Sequence, residues 1–285
     1  MHLNRTKIIP NLKLRIKPTN TNKNRNLRQK RRKYNIETKS KEHQVEGKFI
    51  RHIKRISIKE SSVIDKQNYD NRKYKSLIKW KNLFLNQPAF ILGNGLSISK
   101  QSLNLLDDYF TIGINRIFYI YEPTILFWQD RELWKSNQEN ILKSKSIRVC
   151  RDLSDPRKMF INFKLEPNEW KFKRKTDILY GRGNSGAIAV QFAIALGCNS
   201  IILIGMDCKY GKNGETDFYG KNKDHRSYTL KMCNAAMKWL KEKCPVPIYN
   251  CGNIDLWPKW KLKDVIEELK PEKYNRNYFK KLFSK

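Results

Sequence analysis

Ser185-Gly186-Ala187-Ile188-Ala189-Val190-Gln191-Phe192-Ala193-Ile194-Ala195-Leu196-Gly197, followed closely by Ile201-Ile202-Leu203-Ile204-Gly205-Met206-Asp207, is the stretch that decides the fold. Its first half is small and apolar nearly all round, as in a helix buried on every side, and Gly197 supplies the stop. Its second half is a short, continuous apolar run, as in a central strand covered on both faces. A buried helix feeding a buried strand predicts an α/β domain, a Rossmann-like, mostly parallel sheet flanked by helices.

The same alternation runs outward in both directions. Upstream, Ala89-Phe90-Ile91-Leu92 is a candidate strand followed at once by Gly93-Asn94-Gly95, and Ser97 or Ser99 is a candidate cap for a helix through Leu103 to Leu106. Further strands are expected at Phe110 to Ile114, Ile125 to Trp128 and Ser146 to Cys150, and residues 151–180 read as a polar stretch bearing aromatics. Downstream, a helix from about Tyr228 to Lys241, a strand at Val246 to Asn250 and a helix near Lys261 to Leu269 complete the series.

The whole chain has 285 residues, with 59 Lys and Arg against 27 Asp and Glu, a formal charge of +32. Residues 1–80 hold 24 of the basic and 6 of the acidic residues, a net of +18, with no Cys and a single Trp. With 39 % hydrophobic residues, a folded core must exist beyond that segment. The expected organisation is a basic, largely disordered arm over 1–80, a nucleotide-binding domain over 81–256, and a C-terminal helix with a basic tail over 257–285. Three readings of the arm stand: a solvated tail of biased composition, non-specific attraction to a polyanion or a membrane surface, and specific recognition. No apolar run is long enough to span a membrane and no signal peptide opens the chain, so the expected location is the cytoplasm, with contact to the inner membrane face as an option for the arm. The six cysteines form no C-x-x-C pair and read as reduced thiols; no zinc site is expected.

Ligands of open parallel sheets sit beyond the carboxyl ends of the strands, where strand order reverses. The residues there are Gly93, Asn94, Gly95, Asn115, Gln129, Asp130 and Asp207, joined by Ser185 and Gly186 at the N-terminus of the buried helix, where backbone N–H groups favour a phosphate. This lining, rich in amides and hydroxyls, suits recognition of a nucleotide by hydrogen bonding. Each element has a plainer reading: Gly93-Asn94-Gly95 as a turn, Asn184-Ser185 as a helix start, Asp207 as a cap or ion-pair partner. His225 is the one histidine beyond the arm; it is either an exposed loop residue or the only imidazole base within the core.

In order along the chain, Gly93-Asn94-Gly95-Leu96-Ser97, Asn115-Arg116-Ile117-Phe118-Tyr119, Asn184-Ser185-Gly186 with its helix, and Ile201 to Asp207 form a set of motifs. The set resembles that of the bacterial lipooligosaccharide α-2,3/2,8-sialyltransferases. It is similar also to the 6-hydroxymethylpterin diphosphokinase-like domain family, some of whose members are phage-encoded. The resemblance spans about residues 88–252, with Leu96 in place of the family's proline. It implies that Asn94 and Asn115 contact a cytidine monophosphate donor with Ser185 near its ribose or phosphate. It implies too that Tyr210 and Tyr219 stabilise the leaving phosphate and that His225 deprotonates the acceptor hydroxyl. The implied function is a metal-independent transfer of a sugar from a nucleotide-activated donor to a glycan acceptor, with no cofactor. Two alternatives remain: a Mg²⁺-dependent diphosphokinase, for which Asp130 and Asp207 are the evident carboxylates, and a non-catalytic module binding nucleotide or nucleic acid.

Overall fold

A computed structural model describes residues 77–155, 157, 159–222, 228–274 and 278. The arm up to residue 76 lies outside the described residues, and so does His225. The chain divides into two units, Met1–Ile64 and Asp65–Lys285, and every described residue belongs to the second.

Eight strands form one sheet: β1 (Pro88–Leu92), β2 (Thr111–Ile114), β3 (Ile125–Trp128), β4 (Ile147–Arg151), β5 (Ile161–Glu166), β6 (Ile178–Tyr180), β7 (Ser200–Ile204) and β8 (Ile248–Asn250). Their spatial order is β6-β5-β4-β3-β2-β1-β7-β8, and every neighbouring pair is parallel. The chain therefore builds outward from β1 to β6, then returns to the other side of β1 to add β7 and β8. Strand order reverses between β1 and β7.

Right-handed crossovers put the two directions of travel on opposite faces. One face holds the return helices, α2 (Ser185–Ala195) and α3 (Thr229–Lys243), which bury Ile188, Phe192, Met237 and Leu240 with Ile91, Phe127 and Leu203. The other holds α1 (Arg131–Lys143) and α4 (Leu262–Leu269), which bury Trp134, Ile141 and Val265 with Phe90, Leu126 and Ile204. Leu77 and Trp80, from the last residues of the segment assigned to the arm, are buried in the first of these cores. Among the described residues no helix is long and apolar enough to cross a membrane.

The decisive stretch behaves as its composition requires. All eleven residues of α2 are buried, and the helix ends at Gly197, whose φ of +95° is left-handed. Gln191, the one amide within α2, donates from Nε2 to Tyr180 O at 2.5 Å and accepts from Tyr180 N at 3.1 Å. The edge strand β6 is thereby fastened to the helix. Two expectations are corrected. Residues 96–106 form two short 3₁₀ turns, Leu96–Lys100 and Leu103–Leu106, with no side-chain cap from Ser97 or Ser99; the Ser97 hydroxyl bonds to Asp207 instead. The polar stretch 151–180 contains β5 and β6.

Candidate functional site

The loops after β1 and β7 meet at the reversal point, and the glycines there are required by close approach. A Cβ on Gly93 would lie 2.3 Å from the Gly205 carbonyl oxygen, and one on Gly95 would lie 2.6 Å from Asp207 Cγ. Gly93 N donates to Ile204 O at 2.7 Å and Gly95 N to Gly205 O at 2.8 Å. The Met206 side chain fills the space beside both Gly93 and Gly186, each of whose added Cβ would come within 3 Å of its sulfur. The Gly93-Asn94-Gly95 turn and the α2 N-terminus therefore share one edge of the sheet.

Asp207 locks this junction. Its carboxylate accepts from Ser97 N at 2.8 Å, Ser97 Oγ at 2.5 Å and Asn253 N at 3.0 Å, and the residue is buried. Three donors from two other segments give it a structural task and leave little capacity for a ligand. Asp130 sits exposed at the N-cap position of α1, with no side-chain cap bond.

The open hydrogen-bonding capacity runs from the reversal point outward along the ends of β1 to β4. Asn94 donates from Nδ2 to Ile114 O at 2.9 Å, while its Oδ1 is buried without a partner. Asn115 follows β2 in a left-handed conformation, φ 51°, which few side chains other than Asn tolerate, and its Oδ1 is likewise buried and unpartnered. Trp128 Nε1 at the end of β3 and Arg151 Nε at the end of β4 complete the set of buried, unpartnered side-chain polar atoms among the described residues. All four stand at the carboxyl ends of the adjacent strands β1 to β4. Because buried polar atoms are nearly always satisfied, four orphans gathered along one edge mark where hydrogen-bonding partners are to be supplied.

Gln129 and Ser185 border this edge from below. Gln129 Nε2 donates to Ser185 Oγ at 3.0 Å, both residues being buried. The Asn184 side chain caps α2 by accepting from Ala187 N at 2.8 Å. The loop after β7 returns over the edge: Phe218 N donates to Asn94 O at 2.8 Å. Next to it, Tyr219 Oη accepts from Arg116 Nη1 at 3.1 Å and Asn222 Nδ2 at 3.2 Å, with the Arg116 guanidinium 5.2 Å from the ring centroid. Burial, and then the Asp217 carboxylate, hold the Tyr219 phenol protonated far above its ordinary range, against the opposing pull of Arg116. Tyr219 is thus a neutral phenol beside a guanidinium.

Tyr210 is placed differently. It is exposed and lines an open depression with Cys208, Lys209, Leu230 and Asn234, and no described contact joins it to Asn94, Asn115 or Ser185. Among the described residues no three His, Cys, Asp or Glu side chains gather as metal ligands. Sequence reasoning passed over Trp128 and Arg151, although each closes a strand by the same rule that selected Gln129; ending the fourth strand at Cys150 hid Arg151.

No protein-family model matches the chain. No curated protein matches it either. Solved structures similar to it include the sialyltransferase CstII from Campylobacter jejuni in complex with a substrate analogue, cytidine-5'-monophosphate, at 15% identity and TM-score 0.37, covering 58% of this chain and 80% of that one. The same enzyme with CMP-3FNeuAc aligns at 15% identity and TM-score 0.35, over 57% of this chain and 80% of that one. The sialyltransferase CST-II with trisaccharide acceptor and CMP aligns at 14% identity and TM-score 0.36, again over 57% and 80%. Alignments this distant assign no activity.

Proposed function

We propose that the carboxyl edge of β1 to β4 binds a nucleotide and that the chain is a metal-independent transferase moving a sugar from a nucleotide-activated donor, a cytidine monophosphate sugar, to a glycan acceptor. The observation that carries the nucleotide reading is the pair of buried acceptors, Asn94 Oδ1 and Asn115 Oδ1, that lack donors. A ribose brings two adjacent hydroxyl donors and a cytosine an exocyclic amine, so one nucleoside answers both oxygens. The step from nucleotide binding to sugar transfer rests on the motif resemblance of residues 88–252. In that reading the α2 N-terminus favours the donor phosphate. Arg116 supplies positive charge near it, Tyr219 remains a neutral donor, and His225 is the base that accepts the proton of the acceptor hydroxyl as the sugar leaves the phosphate.

The diphosphokinase reading would need convergent carboxylates for Mg²⁺. Asp207 is engaged by three donors of the protein itself, which favours the metal-independent reading. Thermal-shift measurements with cytidine monophosphate, ATP and GTP, each with Mg²⁺ or with EDTA, test the choice. Stabilisation by the cytidine nucleotide in EDTA is the expected result. Stabilisation by ATP only with Mg²⁺ would replace the proposal with the kinase, and no response to any nucleotide, together with salt-sensitive binding to DNA, would replace it with a binding module.

A further inference from the structure

The loop after β7 and one face of α3 enclose an open depression of about 530 Å³. Lys209 and Tyr210 line it from the loop, and Leu230, Lys231, Asn234 and Lys238 from the helix, the last three recurring at the spacing of a single face. Asn234 ties the two walls together: its Nδ2 donates to Cys208 O in the loop at 2.9 Å and to Leu230 O in the helix at 3.0 Å. Three ammonium groups thus share one hollow, and no carboxylate of the described residues lines it. Lys209 reaches Asp255 at 3.4 Å in an exposed, weak pair, whereas Lys231 and Lys238 pair with none of the described carboxylates. Lys231 stands in the first turn of α3, where the helix dipole adds positive potential. Tyr210, 53 % exposed, adds an aromatic ring and a hydroxyl to the same lining.

Two connections place the depression next to the candidate site. Cys208 directly follows Asp207, which is locked to the turn after β1. Met232, the neighbour of Lys231, lies against Gly183, where an added Cβ would collide with its methyl carbon, and Gly183 directly precedes the Asn184 cap of α2. We infer that this depression holds an acidic group of the acceptor, a carboxylate or phosphate monoester carried by the sugar that receives the transferred residue. The inference rests on the transferase reading and narrows its acceptor from any glycan to an acidic one. The donor phosphate already has the α2 N-terminus and Arg116, and no described contact joins Tyr210 to Asn94, Asn115 or Ser185, so the depression falls to the second substrate. Lysines are point charges on flexible stems and accommodate either anion, while the Tyr210 ring offers a face to the sugar.

Titration calorimetry on the full chain, with cytidine monophosphate present, tests this with three probes: lactose, the same disaccharide phosphorylated on its terminal galactose, and the same disaccharide with that galactose oxidised to a uronic acid. At least one acidic form should bind about tenfold more tightly than lactose at low salt, and the two acidic forms tell phosphate from carboxylate. Lys231→Ala combined with Lys238→Ala should abolish that preference and leave the affinity for cytidine monophosphate unchanged. Lys241→Ala combined with Lys243→Ala, exposed positions of the same helix outside the depression, should keep it. Equal affinity for lactose and both acidic forms, no binding of any of them, or an equal loss in the two double variants would each overturn the inference. Retention on vesicles containing phosphatidylserine, without affinity for the soluble acidic sugars, would overturn it in favour of a membrane contact. An intact acid preference in a protein that binds no cytidine monophosphate would support the depression as an acidic-sugar site and sink the transferase reading alone.

Discussion

Asn94 Oδ1 and Asn115 Oδ1 are acceptors only, so whatever satisfies them must bring donors, and removing either oxygen should cost ligand affinity more than folding. Asn115→Gly is the cleaner variant, because glycine suits the left-handed backbone that Asn115 already adopts. Its affinity for cytidine monophosphate should fall about tenfold, ~1.4 kcal/mol, by titration calorimetry, while its thermal midpoint stays near that of the wild type. Asn94→Ala should lose affinity likewise and also about 1–3 kcal/mol of stability, since the Ile114 carbonyl loses its donor. Undiminished affinity in both would remove these oxygens from the site. Both asparagines were legible in the sequence because they stand within two residues of the end of an apolar run. A structural role for Asp207 was one of its two readings, but its partners were not legible, since Ser97 and Asn253 come from segments 110 and 46 residues away.

At the scale of elements, legibility followed periodicity. The uniformly apolar α2 and β7 announced themselves. β5 did not, although Ile161, Phe163 and Leu165 face the core while Lys164 and Glu166 face out, an alternation that marks a half-covered strand near the sheet edge. The expected helix through Leu103 to Leu106 gave way to 3₁₀ turns because Asp207 draws the Ser97 backbone and hydroxyl toward β7. The turn between α1 and β4 offers a pH test. Glu122 accepts from Ser144 Oγ at 2.5 Å, Ser146 N at 2.9 Å and Ser146 Oγ at 2.7 Å. Burial raises its pKa, but these bonds together outweigh that and leave it below the ordinary value of 4.5. A lowered folded-state value means that the contribution is present above the unfolded pKa and is lost as pH falls through the folded one. The gap in thermal midpoint between wild type and Glu122→Gln should therefore be full at pH 7 and shrink below about pH 4; a gap independent of pH would contradict the assignment.

For the molecule as a whole, the +32 charge is the loudest feature of the sequence and the least informative about the described site. More than half of it lies in residues 1–80, most of them outside the described residues, whereas the site is built from amides, an indole and two guanidiniums along one sheet edge. The fold was legible because a parallel sheet needs apolar strands and covering helices in alternation. The site was legible only in part, because orphaned atoms such as Trp128 Nε1 are defined by what surrounds them and not by residue type. Cytidine monophosphate bound to the crystalline full-length protein in the presence of EDTA tests the central claim most directly. The nucleotide should lie across the ends of β1 to β4, with Asn94 Oδ1 and Asn115 Oδ1 each accepting one of its hydrogen bonds and its phosphate near Ser185 and Tyr219. Nucleotide bound elsewhere, or these two oxygens filled by water with the nucleotide absent at saturating concentration, would contradict it.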